Sequence, residues 1–385
     1  MNMEKIKGFK NSWILTEDGL VKTNLIIKEG KILSIGDNTE EGLIELDDQK
    51  IVIPGLIDQH IHGAFGSDAI DGKEESIYKM ACSLPQEGIT AFLPTTTNQS
   101  VEVIGKSLMA IKKYMDNDYE EGALVLGAHL EGPFISRKYV GAQIPEYILK
   151  PNVDKFKHFE EMSGNTIKLA TIAVEEEGAE ELINYLKSKN IVISIGHSAA
   201  GFEDVKKAVE MGVTCVTHTY NGMKPLRRND IGMVGSTMYF DELYAEAICD
   251  GIHISQPAVK LLWKAKPSDK LILVSDALRT KFMPEGRYEE LEGVIILKDK
   301  AARLEDGTLA GSVLQINDAI KNIMDFTGVD FITAVKYATE NPAKNLGVFD
   351  IMGSIKENKL ANLVIVDKDL QVYQTIRNGK IIYQK

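Results

Sequence analysis

A chain of 385 residues is too long for one small domain, and its length suits a barrel of about 250 residues with a smaller accessory module. Hydrophobic residues make up 44% and charged residues 26% of the chain, which is the balance of an ordinary soluble globular protein. The formal net charge of -12 and the lack of a long basic run argue against nucleic acid or an anionic membrane as a partner, although a local basic pocket could hold a small anionic substrate.

The cysteines indicate a reducing compartment. Cys82, Cys215 and Cys249 are odd in number and far apart, so we expect no disulfide framework, and no Cys-x-x-Cys motif predicts a thiolate zinc site. The N-terminal residues lack the apolar core of a signal peptide, and no apolar run approaches the roughly 20 residues of a membrane span. We therefore expect a cytoplasmic protein without a membrane partner.

Both ends of the chain have the pattern of short strands. Glu29-Gly30 and Asn378-Gly379 are hairpin turn signals between such strands. The economical interpretation is one small β-sandwich built from residues 1–53 and 354–385, which brackets a central domain of residues 54–353. The strand-like runs of the two ends cover residues 13–15, 24–27, 31–35, 363–366 and 372–376.

The central domain alternates between apolar runs and amphipathic stretches such as 179–186 and 203–209. Continuous apolar strands that alternate with helices predict a buried parallel sheet, and eight such units favour a closed (β/α)8 barrel of the TIM type. No Gly-x-Gly-x-x-Gly turn follows an early strand, as a nucleotide-binding sheet would require. The eight runs lie near residues 51–58, 89–96, 123–130, 167–174, 190–196, 213–218, 244–249 and 271–276.

Polar residues gather where these predicted strands end. The chemistry of a (β/α)8 barrel lies at the C-terminal ends of its strands. Six of the seven histidines are there, and only His158, in a charged helix-like stretch, is left as a surface residue. The six are His60, His62, His129, His197, His218 and His253.

The spacing of these residues predicts a metal site. Residues i and i+2 of a strand point to the same side, so His60 and His62 can converge on one ion. Glu131, His197 and His218 supply a separate set of three ligands, the number that a catalytic metal needs beside an open position for water. Imidazole and carboxylate ligands suit Zn²⁺ first, and also Fe²⁺, Co²⁺ or Mn²⁺, with one or two ions per chain.

Three further residues have predicted supporting roles. Asp276 ends an apolar run, and a carboxylate beside a metal-activated water can take its proton and later give it to a leaving amine. His253 could hydrogen-bond a substrate oxygen. His129 lies one pleat deeper than Glu131, where we expect it to support a ligand rather than to bind the metal.

These motifs resemble a known family. Pro54-Gly55-Leu56-Ile57-Asp58 with His60-x-His62 is similar to the opening of the amidohydrolase superfamily. Motifs along nearly the whole chain resemble its N-acetylglucosamine-6-phosphate deacetylase family, and His129-Leu130-Glu131-Gly132-Pro133 is the most specific of them. The other motifs are Gly196-His197-Ser198, His218-Thr219-Tyr220-Asn221-Gly222-Met223, Asp250-Gly251-Ile252-His253 and Leu309-Ala310-Gly311-Ser312.

The resemblance implies a metal-dependent hydrolase of amino sugar metabolism, a homodimer that removes the acetyl group of N-acetylglucosamine 6-phosphate. It implies that Glu131, His197 and His218 hold the main metal and that Asp276 carries the proton. His60 and His62 place the chain among members able to bind two ions. The positions that correspond to substrate contacts are Ala142, Asn221, Gly222, His253, Leu309, Ala310 and Gly311.

Two departures from the family pattern bear on the substrate. Gln143 replaces a common histidine, and its amide can still donate to the acetyl oxygen without carrying a charge. Asn229 replaces the usual phosphate-binding arginine, whereas Arg227 and Arg228 lie two positions and one position earlier and could supply the basic pocket. A 6-phosphate of another sugar, such as N-acetylgalactosamine, is therefore the first alternative substrate.

Two other classes of function are alternatives to a sugar deacetylase. A cyclic-amide hydrolase of the dihydroorotase or hydantoinase type bridges two metals with a carboxylated lysine at the end of strand four, and Lys168 stands at the opposite end of that predicted strand. A metal-free scaffold protein of the same fold could lose its metal ligands at no cost, but this chain keeps the complete set of predicted metal ligands together with Asp276.

Overall fold

The computed structural model describes residues 4–117, 119–291 and 293–385. Residues 1–3, 118 and 292, which the predicted domains include, lie outside the described part. Within it, none of the helices combines the length and the apolar character that crossing a membrane would require.

Eight parallel strands form the central barrel, which confirms the predicted fold class. Each strand pairs with its neighbour in chain order, and the last returns to the first through a hydrogen bond of 2.8 Å from the Asp276 amide to the His60 carbonyl. A short extra strand, Leu124–Val125, pairs beside the second strand. The barrel strands are Leu56–Ile61, Ile89–Thr96, Ala128–Glu131, Ile167–Ile172, Val192–Ile195, Cys215–Val216, Tyr244–Ala247 and Leu271–Leu273.

Helices connect the barrel strands and cover their outer faces. The two predicted amphipathic stretches are helices at Ala179–Ser188 and Phe202–Met211, with apolar residues such as Leu182 and Val205 buried against the barrel. The α-helices are Glu74–Ser83, Val101–Asp116, Val153–Met162, Ala179–Ser188, Phe202–Met211, Gly232–Tyr239, Gln256–Ala265, Ile316–Thr327, Phe331–Lys336 and Glu340–Asn345.

Strands from both ends of the chain combine in one accessory module, as predicted. They are hydrogen-bonded into one continuous mixed sheet, whose own core contains Phe9, Ile14 and Leu363. Asn378 and Gly379 have φ values of 49° and 72° between the last two strands, which confirms the hairpin turn. The strands are Gly8–Thr16, Gly19–Lys28, Lys31–Gly36, Ile44–Glu45, Ile51–Pro54, Leu363–Val366, Val372–Arg377 and Lys380–Gln384.

The first predicted apolar run, at residues 51–58, divides between the two sheets. Ile51–Pro54 belongs to the accessory sheet, whereas Leu56–Ile61 opens the barrel. Both segments are buried throughout, so the sequence shows one apolar run where the chain forms two strands. Gly55 lies between them, and a Cβ at this position would meet the Thr90 hydroxyl at 2.1 Å.

A small antiparallel sheet follows the last barrel strand and was not predicted. Its strands are Gly286–Glu290, Gly293–Lys298 and Ala301–Leu304, and we call them the flap sheet. Arg279 links this sheet to the barrel, because its guanidinium forms ion pairs with Glu290 of the flap sheet and with Asp71 at 3.0 Å. The flap sheet therefore stands over the C-terminal rim of the barrel.

A buried ion pair anchors the segment between the last barrel strand and the flap sheet. The Lys281 ammonium lies 2.6 Å from the Glu87 carboxylate, and both side chains are fully buried. Glu87 also accepts a hydrogen bond of 2.6 Å from the Ile316 amide. Burial, partly offset by the charge of Lys281, raises the pKa of the Glu87 carboxyl to about 7.

We expect Lys281→Met to destabilise the protein by roughly 3–5 kcal/mol at pH 8, because one member of a buried pair loses its opposite charge. The loss should be smaller at pH 5, where the carboxyl of Glu87 is protonated and needs no cation. The double variant Lys281→Met/Glu87→Gln carries no buried charge and should recover most of the melting temperature. A single variant that melts like the wild type at pH 8 would show that the pair contributes nothing.

Candidate functional site

Two groups of potential metal ligands meet at the C-terminal rim of the barrel. One group is Glu131, His197 and His218, and the other is His60, His62 and Asp276; the ligand atoms of each lie within 4.8 Å of one another. All six side chains are buried. The structure thus brings together every residue that the sequence analysis placed in the metal site, and it adds Asp276 to the second group.

Glu131 lies between the two groups. Its Oε1 is 3.1 Å from His218 Nε2 and 3.2 Å from His197 Nε2. Its Oε2 is 3.3 Å from His62 Nε2, which in turn lies 3.1 Å from Asp276 Oδ1. A single carboxylate therefore faces both sets of imidazoles, as a bridging ligand would.

The orientation of the histidine rings suits divalent cations. The outward nitrogen, Nδ1, faces Glu246 Oε2 at 3.0 Å in His60, the Thr95 carbonyl at 3.2 Å in His62 and the Tyr139 carbonyl at 2.9 Å in His197. A ring whose Nδ1 donates to an acceptor presents the lone pair of Nε2 on its other side.

The inward nitrogens face one another and the two carboxylates of the cluster. Nε2 of His197 and Nε2 of His218 are 3.1 Å apart, and two lone pairs at this distance repel unless a cation or a proton lies between them. His60 Nε2 is buried and has no hydrogen-bond partner among the described residues. The donor set of nitrogen and carboxylate oxygen is the one that zinc and similar ions take. The residues present therefore fit one metal ion in each group.

Three residues of the cluster have a strained backbone conformation. His197, His218 and Asp276 follow the C-terminal ends of the fifth, sixth and eighth barrel strands and have φ values of 45°, 29° and 48°, which lie in the left-handed region. Residues other than glycine adopt this conformation at a cost of about 1–3 kcal/mol and cluster at functional sites when they do. Three of the six potential ligands are held in this way, which supports a functional rather than a structural reason for their placement.

The charges of the cluster are strongly coupled. Burial opposes ionisation of Asp276, but the imidazoles of His60 and His62 hold the pKa of its carboxyl below its usual value. Burial likewise lowers the pKa of His62, and the carboxylates of Asp276 and Glu131 outweigh it and raise that pKa to about 10. The two carboxylates thus stabilise positive charge in the cluster, and bound metal ions could supply that charge.

His129 lies behind the cluster. Its Nδ1 is 3.2 Å from the Thr95 hydroxyl and its Nε2 is 2.8 Å from the Thr171 hydroxyl, so both nitrogens are occupied by protein groups. Burial, reinforced by the charge of His60, lowers the pKa of the His129 imidazole well below its usual value. A neutral ring packed edge-on against His60, with centroids 4.7 Å apart, matches its predicted supporting role.

A cleft of about 900 Å³ opens in front of the cluster. Leu278 and three flap-sheet residues, Glu290, Ile295 and Leu304, form one wall. The cleft also contains all the positions that the resemblance assigned to the substrate, together with Gln143: Ala142, Gln143, Asn221, Gly222, His253, Leu309, Ala310 and Gly311.

Gln143 and His253 are fixed by protein hydrogen bonds. The Oε1 of Gln143 accepts from the Asn98 amide at 3.1 Å, which leaves its Nε2 directed towards the cluster, 3.2 Å from His197 Nε2. His253 donates from Nδ1 to Asp250 at 2.6 Å and from Nε2 to the Ala310 carbonyl at 2.8 Å. Burial opposes protonation of His253, but Asp250 outweighs it and raises the pKa of the imidazole. With both nitrogens engaged, His253 joins two walls of the cleft.

Arg227 and Arg228 lie on an exposed loop outside the residues that line the cleft. The backbone of Arg227 pairs with that of Asp230, which closes a tight turn in the loop. The same loop follows Asn221 and Gly222, which do line the cleft. Neither Arg227 nor Arg228 is therefore part of the wall of the cleft.

Glu246 is a functional residue that the sequence analysis missed. It is fully buried in the strand Tyr244–Ala247 and contacts His60 directly. A glutamate within an otherwise apolar strand of a barrel is itself a signal, because an ionised carboxylate is rarely buried without a partner. Glu246 lies inside the predicted apolar run 244–249 and not at its C-terminal end, where the chemistry of a barrel is expected.

Comparisons with known proteins agree with this geometry. A model of the amidohydrolase family matches residues 51–382. An N-acetylglucosamine-6-phosphate deacetylase of Bacillus subtilis is 37% identical over 381 residues, which cover 97% of this chain and 96% of that protein. An N-acetylgalactosamine-6-phosphate deacetylase of Escherichia coli O157:H7 is 32% identical over 369 residues, which cover 96% of this chain and 97% of that protein. A crystal structure of N-acetylglucosamine-6-phosphate deacetylase from Thermotoga maritima is similar with a TM-score of 0.89 at 34% identity and covers 98% of this chain and 100% of that chain.

Proposed function

The chain belongs to the amidohydrolase family, and from this premise we propose that it hydrolyses N-acetylglucosamine 6-phosphate to glucosamine 6-phosphate and acetate. The observation that carries the proposal is the pair of buried ligand groups around Glu131, which open on a cleft lined by both polar and apolar side chains. The full-length similarity to deacetylases of amino sugar 6-phosphates supplies the substrate class.

Glu131, His197 and His218 would hold the main metal ion, and His60, His62 and Asp276 the second, with Zn²⁺ proposed first for both. When bound, such an ion supplies Lewis acidity for the acetyl carbonyl and makes a water molecule more acidic. We propose a homodimer in the cytoplasm on the resemblance alone.

Asp276 would carry the proton. Its carboxyl faces the cleft beside the cluster and, with a lowered pKa, is ionised and able to accept the proton of the attacking water. The new C–O bond forms as that proton moves to Asp276. The carboxyl then gives the proton to the amine nitrogen, which leaves as the C–N bond breaks. Acetate and the free amino sugar are the products.

Gln143 would stabilise the oxygen of the acetyl group. Its Oε1 is held by the Asn98 amide, so the amide NH2 is directed towards the cluster. A donor that is already oriented can stabilise a developing oxyanion without reorganisation at the moment of reaction. Gly222 is placed against the ring of His197, where a Cβ would come within 2.8 Å of Nδ1, so this wall approaches the cluster as closely as a residue without a side chain permits.

The 6-phosphate would be held at the rim by Arg227 or Arg228. A charge-assisted contact to phosphate contributes very roughly 1.5–3 kcal/mol. Replacing the responsible arginine by alanine should therefore raise KM for the phosphorylated sugar by about ten- to a hundredfold, with little change in kcat. Steady-state kinetics of Arg227→Ala and Arg228→Ala measure this, and Lys138→Ala is a control basic residue with an exposed side chain. Unchanged KM in both arginine variants would remove the rim arginines from the phosphate site.

A second candidate is the deacetylation of N-acetylgalactosamine 6-phosphate. It is favoured by the similarity to the N-acetylgalactosamine-6-phosphate deacetylase of Escherichia coli, which covers 96% of the chain, nearly the 97% that the Bacillus subtilis relative covers. A cyclic-amide hydrolase is disfavoured, because Lys168 lies near the start of the fourth strand, Ile167–Ile172, and not at its C-terminal end. The proposal is tested by acetate release from N-acetylglucosamine 6-phosphate by the purified protein supplied with Zn²⁺. Failure of the fully metallated protein to release acetate would refute it.

A further inference from the structure

Glu246 accepts hydrogen bonds from three donors and has no other role in the proposed reaction. Its Oε1 accepts from Gln59 Nε2 at 2.6 Å, and its Oε2 accepts from His60 Nδ1 at 3.0 Å and from the His218 amide at 3.2 Å. The side chain is fully buried and does not line the cleft. Substrate therefore cannot be its partner.

These contacts fix the chemistry of His60. A carboxylate only accepts hydrogen bonds, so the Nδ1 that faces it carries a hydrogen. In the neutral ring, Nε2 is then without a hydrogen and presents its lone pair to the group formed with His62 and Asp276. The buried Nε2 of His60 makes no hydrogen bond to the described residues, and Asp276 Oδ1 and Glu131 Oε1 lie 3.4 Å and 3.6 Å from it, so a cation among these atoms would use its lone pair.

We propose that Glu246 is a positioning residue that keeps His60 in the tautomer able to bind the second metal ion. The inference rests on the proposed function in one respect, namely that a metal ion occupies this group. A carboxylate that accepts a hydrogen bond from the second nitrogen of a metal-bound histidine orients the imidazole ring. Loss of such a carboxylate typically lowers metal affinity or activity by about 10- to 100-fold. Glu246 also holds the backbone amide of His218, but the ring of His218 belongs to the other group.

A chain of amides fixes which way the hydrogen bonds run. Gln59 donates to Glu246, while the Oε1 of Gln59 accepts from Asn345 Nδ2 at 3.0 Å. The direction of these hydrogen bonds can therefore be preserved when the negative charge is moved from position 246 to position 59. In the double variant Gln59→Glu/Glu246→Gln, the side chain at 246 keeps an oxygen towards His60, its amide donates to the carboxylate at 59, and that carboxylate still accepts from Asn345.

The test compares four proteins by Zn²⁺ titration against a chelator and by metal content per chain. Glu246→Met removes the acceptor, and the exchange variant Gln59→Glu/Glu246→Gln moves the charge but keeps the acceptor. Ser194→Ala is the matched control, since it removes a fully buried barrel hydroxyl that bonds to Thr217 at 2.6 Å and touches neither His60 nor Glu246. Wild-type protein completes the set.

We expect Glu246→Met to bind one ion normally and the second about 10- to 100-fold more weakly. The exchange variant and Ser194→Ala should bind both. A merely structural role would weaken both ions together or lower only the melting temperature of the metal-free protein. Two tight ions in Glu246→Met would overturn the proposal, and so would loss of the second ion in the exchange variant, because the charge and not the hydrogen-bond acceptor would then be required. If Glu246→Met does not fold, the exchange variant decides whether an acceptor at position 246 is sufficient: binding of both ions supports the proposal, and loss of the second ion overturns it.

The wild type separates this inference from the proposed function. If the wild type binds two ions and releases acetate while Glu246→Met also binds two, only the role of Glu246 fails. If the wild type binds no metal at either group, the proposed function fails first.

Discussion

Asp276→Asn should lower kcat by at least about a hundredfold, because general acid–base catalysis typically contributes a factor of about 10² to 10⁴. The amide keeps the shape of the side chain but cannot accept the proton of the attacking water or return it to the amine. Without that return the amine is a poor leaving group. The measurement is the rate of acetate release at saturating substrate, with KM determined in parallel.

Metal analysis of the same variant is its control. The ion held by Glu131, His197 and His218 should be retained, since Asp276 belongs to the other group and its Oδ1 lies beside His60 and His62. The second ion should bind more weakly. A variant with wild-type kcat would exclude Asp276 as the proton carrier and would point to a histidine of the cluster.

Glu131→Gln should abolish most activity and reduce bound metal at both groups. Its carboxylate reaches His62 as well as His197 and His218, and a neutral amide removes the charge and replaces one of the two acceptor oxygens by a donor. His197→Ala should remove metal mainly from its own group. Metal content per chain and acetate release, measured on the same preparations, test both expectations.

His158→Ala is the matched histidine control for these variants. His158 lies on the helix Val153–Met162 with an exposed side chain, as the sequence predicted for the one histidine outside the strand ends. It should keep full metal content and full activity. Full metal content and turnover in Glu131→Gln or His197→Ala would contradict the assignment of the metal site.

The fold and the ligand groups were accessible from sequence because they follow from short-range rules. Apolar runs of strand length alternate with amphipathic helices, and the ends of parallel strands meet at one rim, so His197 and His218 had to be neighbours once the barrel was predicted. His60 and His62 are two residues apart on one strand and therefore share a side. The Asn378-Gly379 turn followed from the positive φ that both residues tolerate.

Other features depend on contacts that no local pattern encodes. The strand Gly293–Lys298 of the flap sheet contains an apolar run of only four residues, and the strands Gly286–Glu290 and Ala301–Leu304 are short and partly exposed, so the flap sheet gives only a weak signal. The partnership of Glu246 with His60 joins strands seven and one of the barrel, 186 residues apart in the chain. Likewise, the position of Arg227 two residues before Asn229 in sequence does not reveal that its backbone forms a tight turn with Asp230.

The central claim, metal-dependent deacetylation of an amino sugar 6-phosphate, is tested most directly by one assay of acetate release. The substrates are the 6-phosphates of N-acetylglucosamine and N-acetylgalactosamine beside the two unphosphorylated sugars, each offered to Zn²⁺-loaded protein and to protein stripped by a chelator. The predicted result is rapid release from N-acetylglucosamine 6-phosphate, much slower release from the unphosphorylated sugars, loss of activity on stripping and recovery when Zn²⁺ is restored. Undiminished activity after complete removal of metal, or no acetate from either 6-phosphate by the fully metallated protein, would contradict the account.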